Sequence, residues 1–328
     1  MTHRTAAVPA GPPRRALLLA GIVLAAASPQ AGVAATADAP SGPRAADATR
    51  IKVFVSIPPQ ATFVERVGGD RVRVGVLIPP GQSPHTFEPT PKQMAQLAGA
   101  RVFFAVGLPL EKRLLEKARA ANPGLRVVDT RQGVPLRHMA AGEAEPAARG
   151  EAEPADEHGH DHAAGEPDPH TWLNPRYAKI QAAPICRTLQ EMDPPHKDAY
   201  RKNLEAFQAD LDAVDARIAK ALAPVKGKEL LVFHPAFGYF AEAYGLRQVA
   251  VEIEGKEPNA RALAALIDRA RAGGARVIFV QPQFSPKTAE AVARAIGGAV
   301  VPMDALARDY LGNLEEMAAK VLRALRPQ

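Results

Sequence analysis

Ile51-Lys-Val-Phe-Val-Ser-Ile-Pro58 and Leu230-Leu-Val-Phe-His-Pro235 decide how the chain is read. Each is a short β-branched or apolar run that stops at a proline and enters a helical pattern, the first ending at Gly68-Gly69 and the second at Gly245. A strand followed at once by a helix, and repeated, marks a parallel sheet with crossover helices. Residues 72–78, 102–106 and 125–128 continue the strand series in the first half, and 248–253, 277–280 and 299–301 in the second. The predicted fold class is α/β, with two similar (β/α)4 lobes built on parallel sheets.

Between the halves, residues 195–223 read as one helix bounded by Asp193-Pro194-Pro195 and Pro224. Its apolar positions, Tyr200, Leu204, Phe207, Leu211, Val214, Ile218 and Leu222, step by three or four, which defines a single face. At 1.5 Å per residue such a helix is about 40 Å long, stiff enough to limit hinge motion between lobes. The expected organisation is therefore an N-terminal lobe over 51–193, a connecting helix over 194–224 and a C-terminal lobe over 225–328.

The start of the chain reads as an export signal. Arg4, Arg14 and Arg15 precede the apolar run 16–27, too short for a bilayer, and Val33-Ala34-Ala35 offers small residues for cleavage. Residues 1–35 are thus expected to be a signal peptide and 36–50 a disordered linker. Arg14-Arg15 also allows a twin-arginine route. Of 328 residues one is cysteine, Cys186, far from the signal, which leaves no thiol there for a lipid anchor and no Cys cluster for metal. Cys186 itself reads as a small buried apolar residue. A soluble, monomeric periplasmic protein with no membrane anchor follows.

The formal charge is +6, which would conventionally suggest nucleic acid. Three of those charges belong to the signal, no basic stripe is interleaved with aromatics, and the compartment is wrong. The acids are concentrated too. In the acidic His-rich loop over 138–168, residues 141–168 carry nine acids and one base, with no apolar residue larger than alanine. Such a stretch buries no core and reads as a mobile loop. Within it, His158-Gly-His160-Asp-His162 interleaves imidazoles with carboxylates, a weak, exchangeable site for divalent cations.

Three further histidines sit in loops that lead into helices. His85 precedes Thr90-Pro91-Lys-Gln93, an N-cap, a first-position proline and a capping box; His170 precedes Asn174-Pro175; His234 directly follows a strand, with Pro235 opening the next helix. Open α/β sheets take ligands beyond the carboxyl ends of their strands. Asp304, after the strand at 299–301, is a fourth candidate. Three imidazoles and a carboxylate suit a borderline cation such as zinc. Trp172 and Phe87 are expected beside the histidines, Glu88 at a turn or behind an imidazole, and Glu252, Glu254, Lys256 and Glu257 in a solvated loop with some contact to a permease as the alternative.

These same segments, Gly81-Gln-Ser-Pro-His85-Thr-Phe-Glu-Pro-Thr-Pro91, Asp168-Pro-His170-Thr-Trp-Leu-Asn-Pro175, Phe233-His234-Pro-Ala-Phe-Gly-Tyr-Phe240 and Val280-Gln-Pro-Gln-Phe-Ser285 with Asp304, resemble the metal-binding solute receptors of bacterial ABC importers, and the zinc members more closely. The resemblance implies two lobes joined by a backbone helix and one ion in the interlobe cleft, held by His85, His170 and His234. Manganese members usually carry a carboxylate at the place of His234. The fourth position varies in that family among Asp, Glu and water, and the usual Asp-Pro is here Asp304-Ala305.

The expected function is capture of periplasmic Zn2+ and its delivery to an ABC permease, without catalysis. No G-x-x-x-x-G-K-[ST] phosphate loop is present, so ATP hydrolysis belongs to another subunit. The alternatives are a receptor for manganese or another divalent metal, an adhesin or zinc buffer using the same site, and a secreted zinc hydrolase with a water at an open position. Against the hydrolase, there is no H-E-x-x-H, and His158-Gly-His160-Asp-His162 falls one residue short of H-x-H-x-D-H.

Overall fold

The strands form where β-branched and apolar runs are shortest and most continuous. The structure, a computed structural model, describes residues 50–138, 167–252 and 259–326, all within one compact unit. The expected signal peptide, the linker up to residue 49, and His158, His160 and His162 lie outside the described residues.

In the first half β1 (Ile51–Val55), α1 (Pro58–Gly68), β2 (Val72–Val76), α2 (Pro91–Ala98), β3 (Val102–Ala105), α3 (Pro109–Ala121) and β4 (Arg126–Asp129) alternate. Helix α4 (Pro175–Met192) follows, and then α5 (Lys197–Leu222), continued at each end by a 3-10 turn. The second half runs β5 (Glu229–Val232), α6 (Gly238–Ala243), β6 (Arg247–Ala250), α7 (Ala260–Ala272), β7 (Val277–Val280), α8 (Pro286–Ala295), β8 (Ala299–Pro302) and α9 (Tyr310–Leu325). Both sheets are wholly parallel, ordered β2-β1-β3-β4 and β6-β5-β7-β8, so one winding pattern occurs twice. In each, the chain reverses its direction of winding between the two central strands, and the crevice beyond their carboxyl ends is where ligands bind in such sheets.

Local chemistry explains the helix starts. Thr90 caps α2 with a complete capping box, Pro91 at its first turn, and Asn174 and Asn259 cap α4 and α7 through their side chains. Helix α6 departs from expectation: it begins at Gly238, not Pro235. The Ala236 N–H turns back to the His234 carbonyl (2.8 Å), and the Phe237 N–H is taken by the Gln248 side chain (2.6 Å), so the first turn is spent on other partners.

Helix α5 buries Tyr200, Phe207, Leu211, Val214, Ile218 and Leu222, with Leu204 half-buried beside them. Its polar side is tied to both lobes. Asp210 pairs with Arg66 of α1, Asp212 with Lys179 of α4, and Asp215 takes Arg176 of α4 and the hydroxyl of Tyr244, which follows α6. Helix α9 returns to the first lobe, where Tyr310 lies edge-on to Phe63 at 4.8 Å and Arg308 pairs with Glu65. One apolar core therefore runs from the first sheet through α5 to α9, while a second, between the β5–β8 sheet and α7 and α8, is confined to the second lobe.

Phe207 is fully buried on α5, 5.6 Å from the Phe63 ring and under the Arg66 guanidinium at 4.9 Å. Phe207→Ala should lower unfolding free energy by about 3–5 kcal/mol, read as a drop in the urea midpoint. A loss below about 1 kcal/mol would mean that the continuous core does not depend on this contact.

Candidate metal site

The Asp168-Pro-His segment is built by its own side chain. Asp168, fully buried, accepts hydrogen bonds at Oδ1 from the His170 N–H (2.9 Å) and from His170 Nδ1 (2.7 Å), a turn closed on itself. Its Oδ2 takes the Arg137 guanidinium at 2.9 Å, its N–H donates to the Arg137 carbonyl (2.9 Å), and its own carbonyl accepts from the Tyr239 hydroxyl (3.0 Å). Burial alone would raise the Asp168 carboxyl, but the adjacent His170 and the Arg137 charge outweigh it and hold it below the usual carboxylate range. Arg137 also reaches Glu242 of α6 at 2.8 Å, and a Cβ on Gly238 would lie 1.5 Å from its Nη1, so only glycine admits the guanidinium there. With Nδ1 committed, His170 presents Nε2.

His234 is fixed by the sheet. The β5–β6 ladder extends past its strands through Val251 N–H to Val232 O and Glu252 N–H to Phe233 O, both 2.9 Å, which seats Glu252 beside His234. Glu252 Oε2 lies 2.6 Å from His234 Nδ1, and both residues are buried. Again Nε2 is the outward nitrogen. Phe284 stacks on the ring at 5.0 Å.

His85 lies in the loop between β2 and α2 and is half-buried. Its N–H meets Ser83 Oγ at 3.3 Å, Gly81 turns the loop with φ of 80°, and Gln93 closes it by binding both the Thr90 N–H and the Leu77 carbonyl, 2.9 Å each. The loop delivers His85 Nε2 to 3.1 Å from His234 Nε2.

One nitrogen from each of His85, His170 and His234 lies within 4.8 Å of the other two. Ligand nitrogens about 2.0–2.1 Å from a tetrahedral zinc stand about 3.3 Å apart, so the His85–His234 spacing already suits one. A small cavity of about 20 Å3, about the room of one ion or water, is lined by all three histidines. Trp172 walls it, 5.3 Å from His170, with its indole N–H bonded to the Ala305 carbonyl (2.8 Å) across the lobes.

Asp304 is not a member of this cluster. Its Oδ1 accepts from Gln283 Nε2 and from the Leu306 N–H, both at 2.9 Å. Phe87 packs against the core and does not line the cavity, where Phe284 stands instead, and Glu88 is exposed. Two expectations are corrected. Asp168, counted among the acids of a mobile loop, is fully buried, because it closes the turn that holds His170. Glu252, read as the start of a solvated charge run, is buried against His234, because the ladder continues beyond the strand. Glu254, Lys256 and Glu257 lie outside the described residues. The signals for the two acids were the two-residue spacing of Asp168 and His170, and the alignment of β5 with β6, whose pairing runs on to Phe233 and Glu252.

Two doubly wound lobes closing on a cation-sized pocket of imidazoles define a receptor for a small metal ion. Residues 53–324 match the model of the family described as zinc-uptake complex component A, periplasmic, and the chain belongs to that family, which comprises receptors for ABC transport and not enzymes. It is 32% identical over 285 residues to the high-affinity zinc uptake system protein ZnuA of Brucella abortus (78% of this chain, 85% of the relative) and 29% identical over 251 residues to that of Bacillus subtilis (76% of each). Its fold matches a crystal structure of ZnuA with a TM-score of 0.75 at 38% identity, over 84% of this chain and 100% of that one. The laminin-binding protein of Streptococcus agalactiae, described as an adhesin with metal-transporting activity, gives 0.70 at 25% identity, over 84% and 100%.

Carboxylates that hold a metal-binding imidazole are worth roughly 10–100-fold in metal affinity. Asp168→Asn and Glu252→Gln should each weaken Zn2+ binding by that factor in competition with a chromophoric chelator. Wild-type affinity in both variants would remove the carboxylates from the site.

Proposed function

We propose that the chain is an exported receptor that captures Zn2+ in the periplasm through His85, His170 and His234 and hands it to an ABC permease. The observation that carries this reading is the convergence of three imidazoles, two of them backed by buried carboxylates, on a cavity of one ion's size. Deprotonated imidazole is a strong ligand for zinc, and a carboxylate behind it raises its basicity. Histidine at 234, where manganese members usually carry a carboxylate, favours zinc, as do relatives named for zinc uptake. A ZnuA deletion mutant solved with zinc bound, 38% identical with a TM-score of 0.75 over 85% of this chain and 99% of that one, supports the same ion.

Export rests on the basic and apolar start of the sequence, and the lone buried Cys186 fits a protein without a lipid anchor. No described helix is long and apolar enough to cross a membrane. His158, His160 and His162 are read as a weak collector of divalent cations, on sequence grounds. A hydrolase is disfavoured by the family, whose members are receptors for ABC transport and not enzymes. The ion is cargo, so the residues bind, orient and exclude water, and no bond is made or broken.

Calorimetry should show His85→Ala, His170→Ala and His234→Ala each losing Zn2+ affinity by orders of magnitude with the far-UV spectrum unchanged. Competition among zinc, manganese, nickel and cadmium, with metal analysis of protein purified without added metal, tests the ion; manganese retained over zinc overturns the assignment. Protons compete for imidazole nitrogens, whose ordinary pKa is about 6.5, so affinity should fall from pH 7.5 to 5.5. A flat profile would argue against histidine ligation.

A further inference from the structure

Arg137 stands between the lobes and holds to both. Its Nη1 donates to Asp168 Oδ2 at 2.9 Å within the first lobe, while its Nε lies 2.8 Å from Glu242 Oε1 on α6 of the second. The Nε–H is not aimed at that oxygen, so this second contact is one of charge. Around the guanidinium, α6 forms a seat. Gly238 and Glu242, four residues apart, share one face of the helix, and a Cβ on Gly238 would fall 1.5 Å from Arg137 Nη1. Tyr239 closes the seat. Its ring centre is 5.8 Å from the guanidinium carbon, and its hydroxyl accepts from the Arg137 N–H and donates to the Asp168 carbonyl, both at 3.0 Å.

The helix that seats Arg137 is also the one that His234 leads into. We propose that Arg137 is a positioning residue for the captured ion: it joins the carboxylate behind His170 to the helix after His234, and so makes the hold on the ion depend on Glu242, which lies outside the histidine cluster. This rests on the metal-receptor reading and goes beyond it by assigning the coupling between the lobes to one side chain. An ordinary surface ion pair contributes little, because water and salt screen it. Here only one end is at the surface. The Glu242 side chain is 59% exposed, its Arg137 partner 15%, and the Asp168 carboxylate beyond it not at all. The charge of an outer residue therefore bears on a buried one through a single guanidinium. A lysine ammonium is a point charge on a flexible stem and lacks the planar fork that serves both carboxylates at once.

The test uses the full mature chain loaded with Zn2+ or Co2+. In Arg137→Met, Zn2+ dissociation in a chelator chase should be about tenfold faster, the lower end of the range for residues that support a metal ligand. In Glu242→Gln it should be about threefold faster, the scale of a partly exposed ion pair. The visible absorption bands of the Co2+ form should shift in both. Glu242→Gln should add nothing once Arg137 is methionine, and Arg137→Lys should stay faster than wild type. Gly238→Ala keeps both charges but displaces the guanidinium, and should speed dissociation as well. Equal effects of Glu242→Gln with and without Arg137 overturn the proposal, as does wild-type dissociation in Glu242→Gln and Gly238→Ala. A lower unfolding midpoint of metal-free Arg137→Met with unaltered dissociation and Co2+ bands assigns Arg137 to packing alone and also overturns it. If Arg137→Met does not fold, Glu242→Gln and Gly238→Ala decide by themselves. Wild-type protein that binds neither metal defeats the receptor reading itself, an outcome distinct from intact binding with indifferent Arg137, Glu242 and Gly238 variants.

Discussion

An imidazole offers a cation one nitrogen in a defined direction only when the other nitrogen is held. At His170 and His234 that hold is a buried carboxylate at 2.7 and 2.6 Å, and much of the molecule is arranged to keep those two acids in place. Asp168 is kept ionised by His170 and then by Arg137, which is itself seated over Gly238 and against Glu242 of the opposite lobe. Glu252 is kept in register by the last two hydrogen bonds of the β5–β6 ladder. The first acid depends on an arginine of its own lobe that also reaches across to the other, the second on a sheet within one.

The doubled winding accounts for the rest of the geometry. Each sheet places the carboxyl ends of its strands toward loops that enter helices, and prolines and caps fix where those loops end. The continuous core along α5 and α9, with the acids of α5 bound to both lobes, fixes the relation between the two sets of loops. The nitrogens of His85 and His234 are therefore brought close to ligand spacing.

The parts of this that were legible in the sequence are the local ones. Strands at 51–55 and 277–280, the capping box at Thr90 and the face of α5 follow from periodicity and hydrogen bonding within a few residues. The three histidines were legible because each lies in the same kind of loop. Asp168 and Glu252 were hidden by their neighbours: averaged with surrounding acids, each looks like part of a charged surface, and only a tight turn or a strand register separates it from them. Arg137 depends on a contact across 31 residues of chain, for which no short spacing stands proxy.

The cavity of about 20 Å3 has a bearing on what is turned away. Around the three imidazoles the lining is mostly apolar, with the amides of Gln281 and Gln283 beside it, so an ion that enters exchanges most of its hydration for nitrogen ligands. Magnesium sheds its hydration reluctantly, insists on six oxygens in octahedral array and gains little from imidazole. A pocket that offers imidazole nitrogen in exchange for hydration oxygen therefore disfavours magnesium without any repulsive group.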